Sequence, residues 1–521
     1  MMHKPAAQLR PGLAGPSASP VTGEGARRAP TAPLWLCLGL SRLPLEVRSG
    51  GDDEGTARVI VDRAGRVVQA NVSAAESGVA AGLPLNAARA LCPGLVALAR
   101  DEAAERAALE RLAAWAGAFT PIVSLVPPAA LLLEVRGSLR LFGGLEALRA
   151  RLRTALHATR HAAREAVAPT PLAALWLARA GQAEAVTELA ALASRVGRLP
   201  PVVTGWPTST LANLRGLGIE SLADCLRLPR DGFARRIGRG PLADLDRALG
   251  RLPDPRPAFR LPPRYRGALE LAAETVDTRR LAAVLDGLFA ELEGFLRARQ
   301  RAVSRLVIRF SHLQRPATEL TLGLASPGLE AAHFAALFAE RLERCALPAP
   351  VIRVTLEAES GESFDPLAVG LFGDEPGATT GLRLVERLRA RLGSAAVHGV
   401  CLLDEHRPEQ AWQVAEPGAG AGAGAYAAVP AAVPTAGLRP CWLLESPRPL
   451  PCRDGRPRFD GALSMESGPE RLETGWWDGS EIARDYWIAR TPAGMRLWIF
   501  QDLAAAGRPP APRWFLHGVF G

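Results

Sequence analysis

In LANLRGLGIESLADCL (211–226) two short helical patterns flank Gly216-Leu217-Gly218, the signature of a helix-hairpin-helix. The glycines let the backbone turn tightly, and free amides at the start of the second helix can hold a phosphate oxygen without reading base sequence. Arg215 adjoins this turn, and Arg235, Arg236 and Arg239 gather around a second glycine-containing turn. A helical connection inside a core has the same outline, but the arginines weigh toward DNA.

Upstream, short apolar runs alternate with helical stretches. Strands are expected at 34–40, 57–62, 66–70, 95–98, 122–125 and 131–135, and helices at 101–117 and 144–161. This is a mixed α/β pattern, which residues 168–197 continue as helix. His157, His161 and Glu165 recur at i, i+4 and i+8, a spacing that puts three metal ligands in a row. The glutamate that metalloproteases carry beside the first histidine is absent, so the spacing reads as a polar helix face and no metal is assigned.

Downstream, Tyr265 to Glu357 reads as strand, helix, strand, strand, helix, strand. The first of these helices carries an apolar stripe that includes Leu281, Leu285, Leu288, Leu292 and Phe295. In the strand that follows, Leu306, Ile308 and Phe310 alternate with Arg305, Val307 and Arg309, so one face is apolar and the other basic, and Arg353 repeats this in the last strand. A split β-α-β sheet with arginines on its open face is a platform for duplex DNA, or a merely solvated surface. Further on, GAGAGAGAYAAVPAAVPTAG (418–437) reads as a low-complexity tether. Six of the eleven tryptophans (442, 476, 477, 487, 498, 514) follow it, in a small β-rich module. Its aromatics form a core or, more pointedly, a protein-binding surface.

A chain of 521 residues, 48% hydrophobic and 22% charged, buries several cores and divides into a few domains. Its formal charge is +9 and its pI about 9.8, and Lys4 is the only lysine. Arginine's planar fork suits phosphate, so the balance favours a polyanionic partner, although arginine in place of lysine also follows from a GC-rich genome. The seven cysteines (37, 92, 225, 345, 401, 441, 452) make no C-x-x-C pair, which fits a reducing, cytoplasmic setting. The apolar run Leu34 to Leu40 is too short to span a membrane, and residues 1–33 lack the order of a secretory signal, so neither export nor anchoring is expected.

VSAAESGVAAGLPLNAARALCPGLVAL (72–98), LLLEVRGSLRLFGG (131–144), APTPLAALWLARAG (168–181) and GPERLETGWWDGSEIARDYW (468–487) resemble the ImuB family, the catalytically inactive Y-family DNA polymerase-like subunits of bacterial mutasomes. The resemblance runs from about Leu34 to the end of the sequence, with the motifs in the family's order. It implies an α+β, Y-family polymerase-like right hand with a β-rich C-terminal module. The expected division is a disordered leader (1–33), palm and fingers (34–197), a helix-hairpin-helix thumb (198–258), a little-finger-like domain (259–360), a clamp-motif region and linker (361–437) and an aromatic-rich interaction module (438–521).

Active Y-family polymerases open with Asp-x-Asp-x-aromatic, ending in Val-Glu. Setting that Glu on Glu46 puts the aspartate positions on Cys37 and Gly39, and the family's Ser-x-Asp-Glu falls on Ser124 to Pro127, so its carboxylate positions are Val126 and Pro127. None of the four can hold magnesium, and phosphoryl transfer onto DNA needs carboxylates that fix two metal ions. The steric-gate aromatic falls on Ser41, the Tyr-x-x-Arg that holds the triphosphate is replaced within Ser73 to Gly78, and the lysine pair falls on Pro171 and Leu175.

The sequence therefore predicts no catalysis, no cofactor and no metal. The resemblance implies a bacterial, nucleoid-associated adaptor in translesion synthesis and the SOS response to DNA damage. Damaged primer-template DNA is expected on Arg215, Gly216, Leu217, Gly218, Arg235, Arg236, Arg239, Arg305, Arg309 and Arg353. A β sliding clamp is expected on Leu371 and Phe372, where the motif's glutamine is missing and an apolar packing turn is the competing explanation. The resemblance adds an error-prone C-family DNA polymerase and a RecA-like accessory protein, placed on Trp476, Trp477, Asp478, Arg484, Tyr486 and Trp487. The alternative is an active Y-family translesion polymerase with an unrecognised metal site.

Overall fold

The computed structural model describes residues 32–49, 55–359, 376–393, 395–403, 405–415, 439–503 and 514–521. The chain forms two compact units. One comprises Met1–Gly39, Leu132–Leu145 and Arg164–Arg256; the other comprises Leu40–Leu131, Glu146–Ala163 and Pro257–Gly521.

In the first unit the fully apolar strand Trp35–Gly39 runs antiparallel to Arg164–Ala168, with Cys37 opposite Ala166 and Gly39 opposite Arg164. The helix Pro171–Arg179 is buried almost along its whole length, as its unbroken apolar sequence requires. It starts where Thr170 caps it and proline occupies the first turn, where a missing N–H costs nothing. Five short helices follow: Leu192–Gly197, Thr208–Gly216, Leu222–Arg227, Arg230–Arg236 and Arg239–Ala248.

The second unit contains a four-stranded antiparallel sheet in the order Thr318–Gly328, Val303–His312, Val351–Glu359, Arg264–Thr275. The helices Thr278–Arg299 and Ala331–Leu342 cover one face. Leu285, Phe289 and Leu292 of the stripe meet Leu306, Ile308 and Phe310 of the strand in one core. A smaller three-stranded sheet joins Val67–Ala70, Arg58–Val61 and Val96–Ala99. The last module is a five-stranded antiparallel sheet, Trp442–Leu450, Trp514–Val519, Arg496–Asp502, Ile482–Arg490, Ser464–Thr474. It buries both faces: Tyr486 and Ile488 enter one cluster, while Ala489 and half-buried Trp487 belong to the other. The α+β class with a β-rich C-terminal region is thus the one expected.

Three details differ from the sequence reading. The stretch 168–197, expected as helix, begins at a strand end and holds two separate helices, Pro171–Arg179 and Leu192–Gly197. The helix expected to reach residue 161 ends at Ala158, because Arg160 adopts a left-handed φ of 61°. His161 and Glu165 therefore leave the helical row with His157, and Glu165 sits in a strand. In addition, the hairpin Gly399–Leu402/Trp412–Ala415, which precedes the low-complexity stretch, is tied to the sheet that follows it. Arg407, only 3% exposed, donates to Asp478 at 2.6 Å, and Arg484 donates to Glu409 at 3.0 Å. These ion pairs cross the boundary expected near residue 438.

Candidate nucleic-acid interface and the polymerase motif positions

Cys37 is fully buried, and burial pushes its thiol up to about 12, against the partial opposing pull of Arg179 and Arg256. A neutral thiol in that setting is a core group and a poor metal ligand. At Gly39 an added Cβ would meet the Arg164 carbonyl at 3.5 Å and the Ala178 Cβ at 3.7 Å, ordinary contacts that offer a carboxylate no cationic partner. In the second unit Val126 ends a short strand, half-buried, and Pro127 begins the turn after it. These residues do not fit a magnesium ion. Among the described residues no three His, Cys, Asp or Glu side chains are grouped to hold a metal; the acidic stretch 52–54 lies outside them.

Ser41 and the 75–81 segment line an open cleft of about 640 Å³. Gln69 in its wall donates to the Ser41 carbonyl at 2.8 Å and accepts from the Leu45 amide at 3.3 Å. The remaining lining is Pro44, Val68, alanines, Gly78 and Val79, so the cleft offers a triphosphate no cation. Pro171 and Leu175, at the lysine positions, are buried in their helix.

The first hairpin departs from expectation. Gly218 takes the left-handed turn (φ 71°), but the amides of Leu217, Gly218 and Ile219 bond back to the preceding helix at 3.0–3.1 Å. The amides of Glu220 and Ser221 donate to Asp224 Oδ2 at 3.3 and 2.9 Å, closing a capping box. The Ser221 hydroxyl and amide, with Arg227, hold the Asp224 carboxyl down at about 2. The Asp224 carboxylate thus takes up the Glu220 and Ser221 amides, and Arg215 and Leu217 are left as exposed side chains.

The second turn is different. Gly238 (φ 126°) leads into Arg239–Ala248, a helix with no side-chain cap. Arg236 and Arg239 are exposed and pair with no carboxylate among the described residues, and Arg235 donates only to the Asp231 carbonyl at 3.3 Å. On the sheet Arg309 pairs with the cross-strand Glu319 at 3.0 Å, and Arg353, at 3.4 Å, shares Glu270 with Arg48. Arg305 faces Gly323 and keeps its charge. Leu371 and Phe372 lie outside the described residues.

In the last module the six singled-out residues separate. Trp476 and Trp477 are 74% and 57% exposed and meet edge to face at 5.4 Å. Gly475 holds this loop: it has φ 82°, and any side chain would drive into the Ser480 carbonyl, 2.5 Å away. Tyr486 is core, stacked 4.1 Å from Trp498 with its hydroxyl 2.8 Å from His517 Nδ1, and Trp487 is half-buried. Asp478 and Arg484 form the ties to residues 407 and 409 described above. Sequence reasoning missed a buried cluster of Glu46, Arg111, His161, Tyr265 and Glu291, whose members are too far apart in sequence to give a local signal.

Residues 39–179 match the impB/mucB/samB family. The chain is 28% identical over 450 residues to Protein ImuB from two strains of Caulobacter vibrioides, covering 83% of this chain and 98% of that protein. The chain is ImuB-like. Among solved structures, a Dbh ternary complex (15% identity, TM-score 0.38) and DinB from Sulfolobus solfataricus (16%, TM-score 0.37) each align over 63% of this chain and 98% of theirs. No described helix is long and apolar enough to cross a membrane.

Proposed function

We propose that this chain is a non-catalytic, polymerase-shaped adaptor of translesion synthesis, which holds damaged primer-template DNA and brings an active polymerase to it. The observation that carries this reading is the character of the motif positions: a buried neutral thiol at Cys37, no side chain at Gly39, and apolar residues at Val126 and Pro127. Losing electrostatic stabilisation worth even about 4 kcal/mol slows a reaction roughly a thousandfold, and a whole metal site is worth more. DNA would be held by Arg235, Arg236 and Arg239 at the second turn, with Arg215 and Arg305 adding charge. The error-prone C-family polymerase and the RecA-like protein would dock at the exposed Trp476-Trp477 pair, whose large rigid side chains suit interface anchors.

The purified chain is expected to bind a primer-template without extending it in Mg²⁺ or Mn²⁺. Extension that persists after contaminating polymerases are rigorously removed would overturn the adaptor reading in favour of an active translesion polymerase. A sliding clamp is proposed to engage Leu371 and Phe372. Changing both to alanine should then weaken clamp binding at least about tenfold, and unchanged binding would move the contact elsewhere.

A further inference from the structure

Five polar side chains from five separate stretches of sequence meet inside the second unit. Glu291, on the helix Thr278–Arg299, is 2% exposed. It accepts from Arg111 Nε of the helix Glu102–Ala116 at 2.7 Å and from the Tyr265 hydroxyl at 3.1 Å. Its other oxygen lies 3.5 Å from His161 Nε2. His161 Nδ1 lies 2.7 Å from Glu46 Oε2, and the second Glu46 oxygen accepts from the Ala162 amide at 3.0 Å. Both ring nitrogens of His161 thus face carboxylates, an arrangement that suits imidazolium, which donates from both. Two anions and two cations balance in the interior.

The surrounding packing is close. A Cβ at Gly294 would sit 2.2 Å from Trp115 Cδ1, and one at Gly117 would sit 2.9 Å from the Ala298 Cβ, so the two helices approach where glycine permits. Arg48 reaches Glu270 of the sheet at 3.1 Å, and the Phe259 amide donates to the Val123 carbonyl at 2.7 Å.

We propose that this network is a clasp that fastens the four-stranded sheet and its helices to Leu43–Ser49 and Glu102–Ala116 as one rigid body. Glu46, the acidic residue of the first polymerase motif that the chain retains, is on this view a positioning residue of the clasp. Its two oxygens are spent on His161 and Ala162. A buried charge that loses its partner keeps the full desolvation penalty, so opening any one contact strands the others and the interface parts all at once. An interface built to slide or hinge would instead carry solvated polar groups, which exchange partners at little cost. The clasp therefore sets the orientation in which the sheet's open face is presented.

Native-state amide hydrogen exchange on the full chain tests this. The helices Glu102–Ala116 and Thr278–Arg299 are expected to share one protection level and to lose it together as denaturant is added. Glu46→Gln, at the less buried end of the network, should raise exchange of Thr278–Arg299 by about tenfold or more and separate it from that of Glu102–Ala116. Unequal protection of the two helices in the unaltered chain would overturn the proposal, and so would unchanged exchange in Glu46→Gln. The first of these outcomes needs no variant to fold.

Discussion

Glu291→Ala is expected to destabilise the second unit by about 3–5 kcal/mol, the loss found when one partner of a buried ion pair is removed. The substitution leaves Arg111 and His161 charged in an apolar interior, and it takes the acceptor of the Tyr265 hydroxyl. The network also has a pH signature. Burial alone would depress His161, but Glu291 and Glu46 outweigh it and raise His161 to about 9. A raised folded value stabilises fully below the unfolded value near 6.5, and that contribution is lost as pH climbs toward 9. The groups facing the imidazole are Glu46 and Glu291, with Arg111 and Tyr265 beyond them. Urea titrations between pH 6.5 and 9 should show a decline of roughly 3 kcal/mol that His161→Gln abolishes. A decline of the same size in the variant would remove His161 from the account.

The other large effect concerns DNA. Changing Arg235, Arg236 and Arg239 together to glutamine should weaken primer-template binding by roughly a hundredfold near 0.15 M salt, if each phosphate contact contributes about 1 kcal/mol. The slope of log K against log salt should flatten by about three, since each lost contact no longer releases its counterion. Changing Arg309 and Arg353 should do less, because Glu319 offsets the first and Glu270, shared with Arg48, partly offsets the second. A larger loss from the sheet pair than from the hairpin triple would relocate the interface to the sheet.

Periodicity carried the sheet and its covering helices, because Leu306, Ile308 and Phe310 bury in strict alternation and the 281–296 stripe keeps helical spacing. It could not show that Glu319 and Glu270 stand across from the arginines, since strand register is a tertiary fact. The hairpin glycines were legible, whereas the use of its amides was not: only the folded turn brings Asp224 back onto Glu220 and Ser221. Aromatic density marked the last module, yet the same motif supplies both core, at Tyr486, and surface, at Trp476 and Trp477. The sequence-distant network around Glu291 left no local trace, because nothing in a window around residue 46 anticipates residue 291.

The ties from Arg407 and Glu409 to Asp478 and Arg484 bear on how this gene can change. The described residues on either side of 416–438 are tied to one another, so any excursion of chain between them starts and ends at fixed points. Doubling the length of such an excursion costs only about 0.6 kcal/mol of closure entropy. Replication slippage in its Gly-Ala repeat can therefore add or delete codons with little penalty to the fold.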